Sequence, residues 1–148
     1  LPTTLPGSTI INRPVEIAGG TYHITCASVG NPHCVVFCDD PSALDLETLG
    51  PKFERASYFP ERINTEFVRI VNDDTLRMRV YERGNGETVA CGTGACAAVI
   101  AATENGFVEK GKDITVKLVG GDLVVKYTDH EVILTGDAVL VYEGVVEY

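Results

Sequence analysis

Basic charge is scarce in this chain. Twelve Lys and Arg residues stand against 21 Asp and Glu, for a formal net charge of −9. Nucleic acid and anionic membrane surfaces are both gripped by clustered cations. The densest basic stretch here, Glu109-Lys110-Gly111-Lys112, is short enough to be a solvated turn. The sequence therefore argues for no nucleic acid and no membrane among its partners. Long apolar runs are missing too, and none approaches the roughly 18 residues that span a bilayer. The opening Leu1-Pro2-Thr3-Thr4-Leu5-Pro6 lacks the charged flank and apolar stretch of a secretory signal. Starting on Leu1, it reads as a cut through a longer protein. Cysteine occurs five times, an odd number without zinc-finger or Cys-x-x-Cys spacing, so no metal site is read from it. Cys26, Cys34 and Cys38 lie in apolar, strand-like surroundings, where a free thiol packs as a small hydrophobe. A reducing, cytoplasmic setting follows. There is no internal repeat and no low-complexity tract.

What is present fits one domain. A chain of 148 residues buries about two-thirds of its unfolded surface. Residues 1–14 are rich in Pro, Thr and Asn and read as a linker. Strand patterns cover Tyr22 to Val29, Cys34 to Cys38, Glu66 to Val71 and Thr75 to Arg83, and then Ile114 to Val119, Leu123 to Thr128, Val132 to Thr135 and Ala138 to Tyr142. Turn-formers separate them at Gly30-Asn31-Pro32, Asn72-Asp73-Asp74, Gly120-Gly121 and Asp129-His130. Asp45 to Arg55 has helical spacing, but Gly50-Pro51 interrupts it, which predicts two short turns. Gly94 to Asn105 is the one convincing helix, closed by Asn105-Gly106. From Ala95 to Ala102 it has no polar face, so it must be buried all round. The economical architecture is α+β: a curved, mainly antiparallel, barrel-like sheet wrapped around one central buried helix.

The start of that helix carries the chemistry. In Ala90-Cys91-Gly92-Thr93-Gly94-Ala95 a cysteine precedes glycines that lead into the helix. The first N–H groups of a helix have no internal partner and bring a partial positive charge. A thiol there is expected to titrate below the free value of about 8.5, in the range of roughly 3.5 to 7.5. The same amides can hold an anion, and the glycines let it approach. A buried structural cysteine is the commoner outcome for the residue type; the glycine-flanked helix start reverses that preference for Cys91. Cys96, inside the apolar helix, reads as core.

His33 follows a rigid Asn31-Pro32 turn, and imidazole is matched to moving a thiol proton near neutrality. A structural histidine is the plainer reading. His23 and His130 have no such context and are placed on the surface. Glu82-Arg83 is either a solvated ion pair at a hairpin end or a substrate-binding pair. In the second case Arg83 takes a carboxylate and Glu82 an ammonium or a thiol. A tight hairpin pairing Arg83 with Glu87 would leave Cys91 about 13 Å away along the strand, so the functional reading requires residues 84–90 to curl back as a loop. Asn64 is a candidate amide donor, no better than a turn residue on its own evidence.

Taken together, these segments resemble the diaminopimelate epimerase family, in its C-terminal half. The matching stretches are Gly30-Asn31-Pro32-His33, Phe59 to Phe67 (Phe-Pro-Glu-Arg-Ile-Asn-Thr-Glu-Phe), Arg77 to Gly84 (Arg-Met-Arg-Val-Tyr-Glu-Arg-Gly), Ala90 to Ala97 and Gly120-Gly121-Asp122-Leu123. They run in order from about Val29 to the C-terminus. The resemblance implies a cofactor-free isomerase that interconverts the LL and meso forms of diaminopimelate, in the lysine and cell-wall precursor pathway. One cysteine thiolate removes the α-proton while a thiol on the opposite face returns one. By motif position Cys91 is one of the two catalytic cysteines. Asn31, Asn64, Glu82, Arg83, Gly92 and Thr93 fall where the family contacts substrate, and His33 and Glu82 where it adjusts the thiols.

The resemblance also implies what is missing. The family's other catalytic cysteine belongs to an N-terminal half, and none of Cys26, Cys34, Cys38 or Cys96 occupies its motif. On this reading residues 1–136 are the C-terminal domain. Residues 137–148 are a strand that normally crosses to the other half, and it can instead pair with a second copy as a homodimer through its exposed edge. The expected partners are an amino-acid substrate and the missing domain, and the isolated chain is expected to be inactive. Two other readings stay open: a non-catalytic amino-acid or anion-binding module, and a racemase of a different amino acid.

Overall fold

Nine strands and two α-helices form in the computed structural model of the chain, which describes residues 1–148. In chain order they are β1 (Arg13–Ile17), β2 (Gly20–Ser28), β3 (Pro32–Phe37), α1 (Leu46–Glu54), β4 (Asn64–Asn72), β5 (Thr75–Glu82), β6 (Gly86–Thr88), α2 (Gly92–Glu104), β7 (Asp113–Leu118), β8 (Gly121–Tyr127) and β9 (Val132–Thr135). All nine strands belong to one sheet, ordered β1-β2-β3-β4-β5-β7-β8-β9, with β6 on β5. The β3–β4 and β5–β7 pairs are parallel and the remaining pairs antiparallel. The architecture is the α+β one expected, although the sheet stays open, with β1 and β9 at its ends.

Strand alternation decides which side chains meet α2, because neighbours along a strand point to opposite faces. Val35 on β3, Val68 on β4 and Leu76, Met78 and Val80 on β5 face the helix, with Ile114, Val116 and Val125 from β7 and β8. The helix packs against seven strands and buries Gly94 to Val99 together with Ala101 and Ala102. Its alanines keep it thin enough for the sheet to curve around it. At its end Gly106, at φ 77°, donates to the Thr103 carbonyl, and Phe107 donates to Ala102. This is the αL cap that Asn105-Gly106 predicted.

The opposite face of the sheet carries a second cluster, in which Ile24, Cys34, Val36 and Phe67 meet Leu46 and Phe53 of α1. Here the sequence expectation fails. Asp45 to Arg55 forms one helix, not two turns, with Pro51 inside it. Asp45 caps it by accepting from the Thr48 amide at 3.2 Å. Leu46, Gly50 and Phe53 lie one turn apart on the buried side, and that packing outweighs the local cost of Gly and Pro. Gly50 is there for space: a Cβ would stand 2.1 Å from Cδ2 of Tyr81.

Both chain ends also depart from expectation. The presumed linker contains the start of β1, and Ile10 is buried, its carbonyl accepting from Cys26 at 2.9 Å. Strand β6 had no recognised pattern because three residues are too few to show alternation. Ala138 to Tyr142 forms no strand. Val139, Leu140, Val141 and Tyr142 are each at least 75% exposed and pair with neither edge of the sheet. No helix is long and apolar enough to cross a membrane.

The close approach of α1 to β5 gives a direct test. Gly50→Ala should destabilise the chain by about 2 kcal/mol or more, the scale of overpacking a closed core. Combining it with Tyr81→Ala should recover part of that loss, because the two sites share one contact. Urea unfolding of the two single variants and the double variant measures both effects.

Candidate active site

Strand parity assembles the polar residues beside the start of α2. His33 has the parity of Val35, Asn64 and Glu66 have that of Val68, and Glu82 has that of Val80, so all four point to the helix face. Cys91 is the N-cap of α2, in extended geometry (φ −145°, ψ 108°), and its Sγ accepts from the Gly94 amide at 3.3 Å. The Thr93 hydroxyl lies 3.6 Å from the same sulfur. The Gly92 and Thr93 amides lie in the first turn, where a helix supplies no carbonyl for them. Both residues are half-buried, between exposed Ala90 and buried Gly94, so the helix start opens to solvent.

Gly94 is what lets the site close. A Cβ on it would stand 2.8 Å from Glu66 Oε1 and 3.1 Å from Cys91 Sγ. Glu66 was not singled out in the sequence, although it stands where alternation demands an apolar residue, two positions before Val68. It is fully buried, its Oε1 lies 2.6 Å from His33 Nδ1, and its Oε2 has no partner. His33 is equally buried, and its Nε2 lies 3.0 Å from Asn31 Oδ1. Asn31 Nδ2 donates to Thr93 Oγ1 at 3.2 Å. His33 thus makes no direct hydrogen bond to Cys91 and reaches it through Asn31 and Thr93.

The remaining candidates sit along the sheet ends. Asn64 is buried and cross-links three strands: its Nδ2 donates to the Pro32 carbonyl at 2.8 Å and its Oδ1 accepts from the Arg83 amide at 2.9 Å. Glu82 is half-buried and accepts from the Thr88 hydroxyl at 2.5 Å. The Arg83 side chain is exposed and donates to the Glu61 carbonyl at 3.2 Å, with no hydrogen bond to Cys91 or Thr93. The curled loop anticipated for residues 84–90 is instead a hairpin, with Glu82 opposite Gly86 and Val80 opposite Thr88. Beyond Thr88 the Val89 carbonyl accepts from Gly120 at 2.7 Å, and the chain turns inward to place Cys91 in the same buried cluster as Val80.

The thiol's acidity departs from the sequence expectation. Burial pushes Cys91 above its ordinary value, and the Glu82 carboxyl adds to the effect. The Thr93 hydroxyl and the Gly94 amide pull the other way without reversing it. A helix start lowers a thiol's pKa when the thiol is wet and free of anions, and neither condition holds here. Cys96 is also raised, chiefly by burial, in keeping with a core thiol. His23 and His130 are exposed, as expected.

Two measurements check this geometry. Alkylation of Cys91 by iodoacetamide, followed by peptide mapping, should be slower than that of a free thiol at neutral pH and rise only on the alkaline side of the ordinary thiol range. Gly94→Ala should cost about 1–3 kcal/mol in urea unfolding, because the buried Glu66 cannot retreat from the new methyl group.

The family model described as diaminopimelate epimerase matches residues 25–141. A diaminopimelate epimerase of Acaryochloris marina is 45% identical over 151 aligned positions, covering 99% of this chain and 53% of that protein. One from Bacillus cereus is 53% identical over 128 positions, covering 86% of this chain and 44% of that protein. The chain therefore spans about half the length of the curated relatives it matches. Among solved structures, a phenazine biosynthesis protein of the PhzF family from Enterococcus faecalis superposes with a TM-score of 0.53 at 15% identity, over 73% of this chain and 40% of that one. A PhzF-family protein from Bacillus anthracis gives 0.50 at 24% identity, over 77% of this chain and 36% of that one. Those two likenesses speak for the fold. The match along residues 25–141 goes further: the chain belongs to the diaminopimelate epimerase family.

Proposed function

We propose that this chain is one half of a cofactor-independent diaminopimelate epimerase and that Cys91 supplies one of its two proton-transfer groups. The observation that carries the reading is a cysteine capping a helix whose next two amides, Gly92 and Thr93, have no carbonyl within the helix to bond. A substrate carboxylate seated on those amides lies beside the sulfur. When the α-carbon loses its proton, negative charge spreads onto that carboxylate, and preorganised N–H donors stabilise it. Arg83, on the exposed rim, is assigned to the same carboxylate once substrate draws its side chain from Glu61. Glu82 is assigned to the substrate ammonium.

Because burial holds the Cys91 thiol up, its resting form is the protonated one. Its role on this face is then to donate a proton to the α-carbon, and in the reverse direction its thiolate removes one. The thiolate for the opposite face comes from a second cysteine outside these 148 residues. Residues 137–148 support a missing half, because Val139 to Tyr142 expose an apolar run that pairs with nothing in the chain. In this reading residues 1–136 are the catalytic half-domain and the tail crosses to its counterpart. The product serves lysine and cell-wall precursor synthesis.

A single thiol cannot serve both faces of one carbon. The 148-residue chain, incubated in deuterium oxide with LL-diaminopimelate, should therefore form no meso isomer, as read by NMR and chiral chromatography. Sustained epimerisation by this chain alone would overturn the two-cysteine assignment.

A further inference from the structure

Glu66 is a fully buried ionisable group near the thiol to which the reaction gives no task. It has no access to solvent, one of its oxygens has no partner, and the other lies 2.6 Å from His33 Nδ1. From there a single path of hydrogen bonds leads to the sulfur. His33 Nε2 faces Asn31 Oδ1 at 3.0 Å, Asn31 Nδ2 donates to Thr93 Oγ1 at 3.2 Å, and Thr93 Oγ1 lies 3.6 Å from Cys91 Sγ.

The direction of that path depends on where the protons sit. With the Asn31 amide directed at Thr93, Asn31 Oδ1 accepts, so His33 carries a proton on Nε2. The Nδ1–Oε1 contact then holds one further proton, whether it is written as carboxylic acid and neutral imidazole or as carboxylate and imidazolium. In both forms the pair has the same protons and no net charge. The alternative turns the amide over. Asn31 Nδ2 would donate to a bare Nε2, His33 Nδ1–H would donate to a Glu66 carboxylate, and Asn31 Oδ1 would take the Thr93 proton. That arrangement seals an uncompensated carboxylate, with an orphan oxygen, out of reach of bulk solvent, a costly state. Burial does push the Glu66 carboxyl above the usual carboxylate range.

We propose that Glu66 is a positioning residue. With His33 it forms a buried pair of zero net charge that fixes the proton on Nε2, sets the Asn31 amide, and so directs the Thr93 hydroxyl proton at Cys91 Sγ. Its effect on the reaction is to keep one hydrogen-bond donor aimed at the sulfur whenever the sulfur becomes a thiolate. Glu66 touches neither sulfur nor substrate. Gly94 leaves the space in which this pair and the thiol meet.

The inference rests on Cys91 being the reacting thiol, but its tests need no turnover, so failure of the path is separable from failure of that role. Histidine side-chain ¹⁵N NMR of the parent chain at neutral pH should show His33 protonated at Nε2. A bare Nε2 would overturn the proposal. Glu66→Gln, whose amide can donate to Nδ1 in the acid's place, should leave the Cys91 alkylation midpoint near that of the parent. Glu66→Met, which cannot donate, should raise it by about one pH unit, the scale of one hydrogen bond to a charged group. Thr93→Val should raise it similarly with Glu66 untouched, which keeps the test alive if Glu66→Met fails to fold. If Glu66 acts on the sulfur only as a nearby negative charge, both Glu66 variants lower the midpoint, and that result contradicts the proposal.

Discussion

The contact between the first turn of α2 and the inner face of β4 is the constraint on which the site depends. A helix with no polar face must be enclosed by the sheet, and enclosing it drives its N-terminus against whatever the inward positions of β3, β4 and β5 carry. Those positions are apolar along most of their length, as Val35, Val68, Met78 and Val80 show. Toward one end they become His33, Asn64, Glu66 and Glu82. Gly94 lets the polar end meet the helix without a gap, since any side chain there would displace Glu66 or Cys91. One glycine therefore links the packing of the core to the placement of the thiol.

The same enclosure explains the balance of forces on Cys91. Its sulfur accepts from Gly94 and sits beside Thr93, as a helix-capping group should. It is also buried, and burial, with the Glu82 carboxyl nearby, outweighs the cap. The result is a thiol that keeps its proton at rest and has a donor waiting for the thiolate. In the proposed role the group alternates between both forms and needs support for each, burial for one and the Thr93 hydroxyl for the other.

Much of this was legible in the sequence. The all-apolar run from Ala95 to Ala102 foretold both the central helix and a sheet curved around it, and Asn105-Gly106 marked the helix end. The ordered motifs from Gly30 to Leu123 pointed to the family. Gly50-Pro51 misled because local propensity says nothing about the Tyr81 ring against which Gly50 packs. The tail misled for the opposite reason. Ala138 to Tyr142 has the pattern of a strand, but alternation names no partner, and neither edge strand, β1 or β9, takes it up. Thiol acidity could not be read from position 91 alone, since the burial that raises it and the approach of Glu82 exist only once α2 has packed on β4 and β5. Glu66 itself was detectable: an acidic residue in phase with Val68 breaks the alternation and marks a buried ionisable group.

The most direct test of the account is an amide NMR titration of the chain with meso-diaminopimelate. The account predicts that the Gly92 and Thr93 amides shift most as the substrate carboxylate takes their N–H groups. Binding that leaves those two amides unmoved while shifting others elsewhere would contradict it.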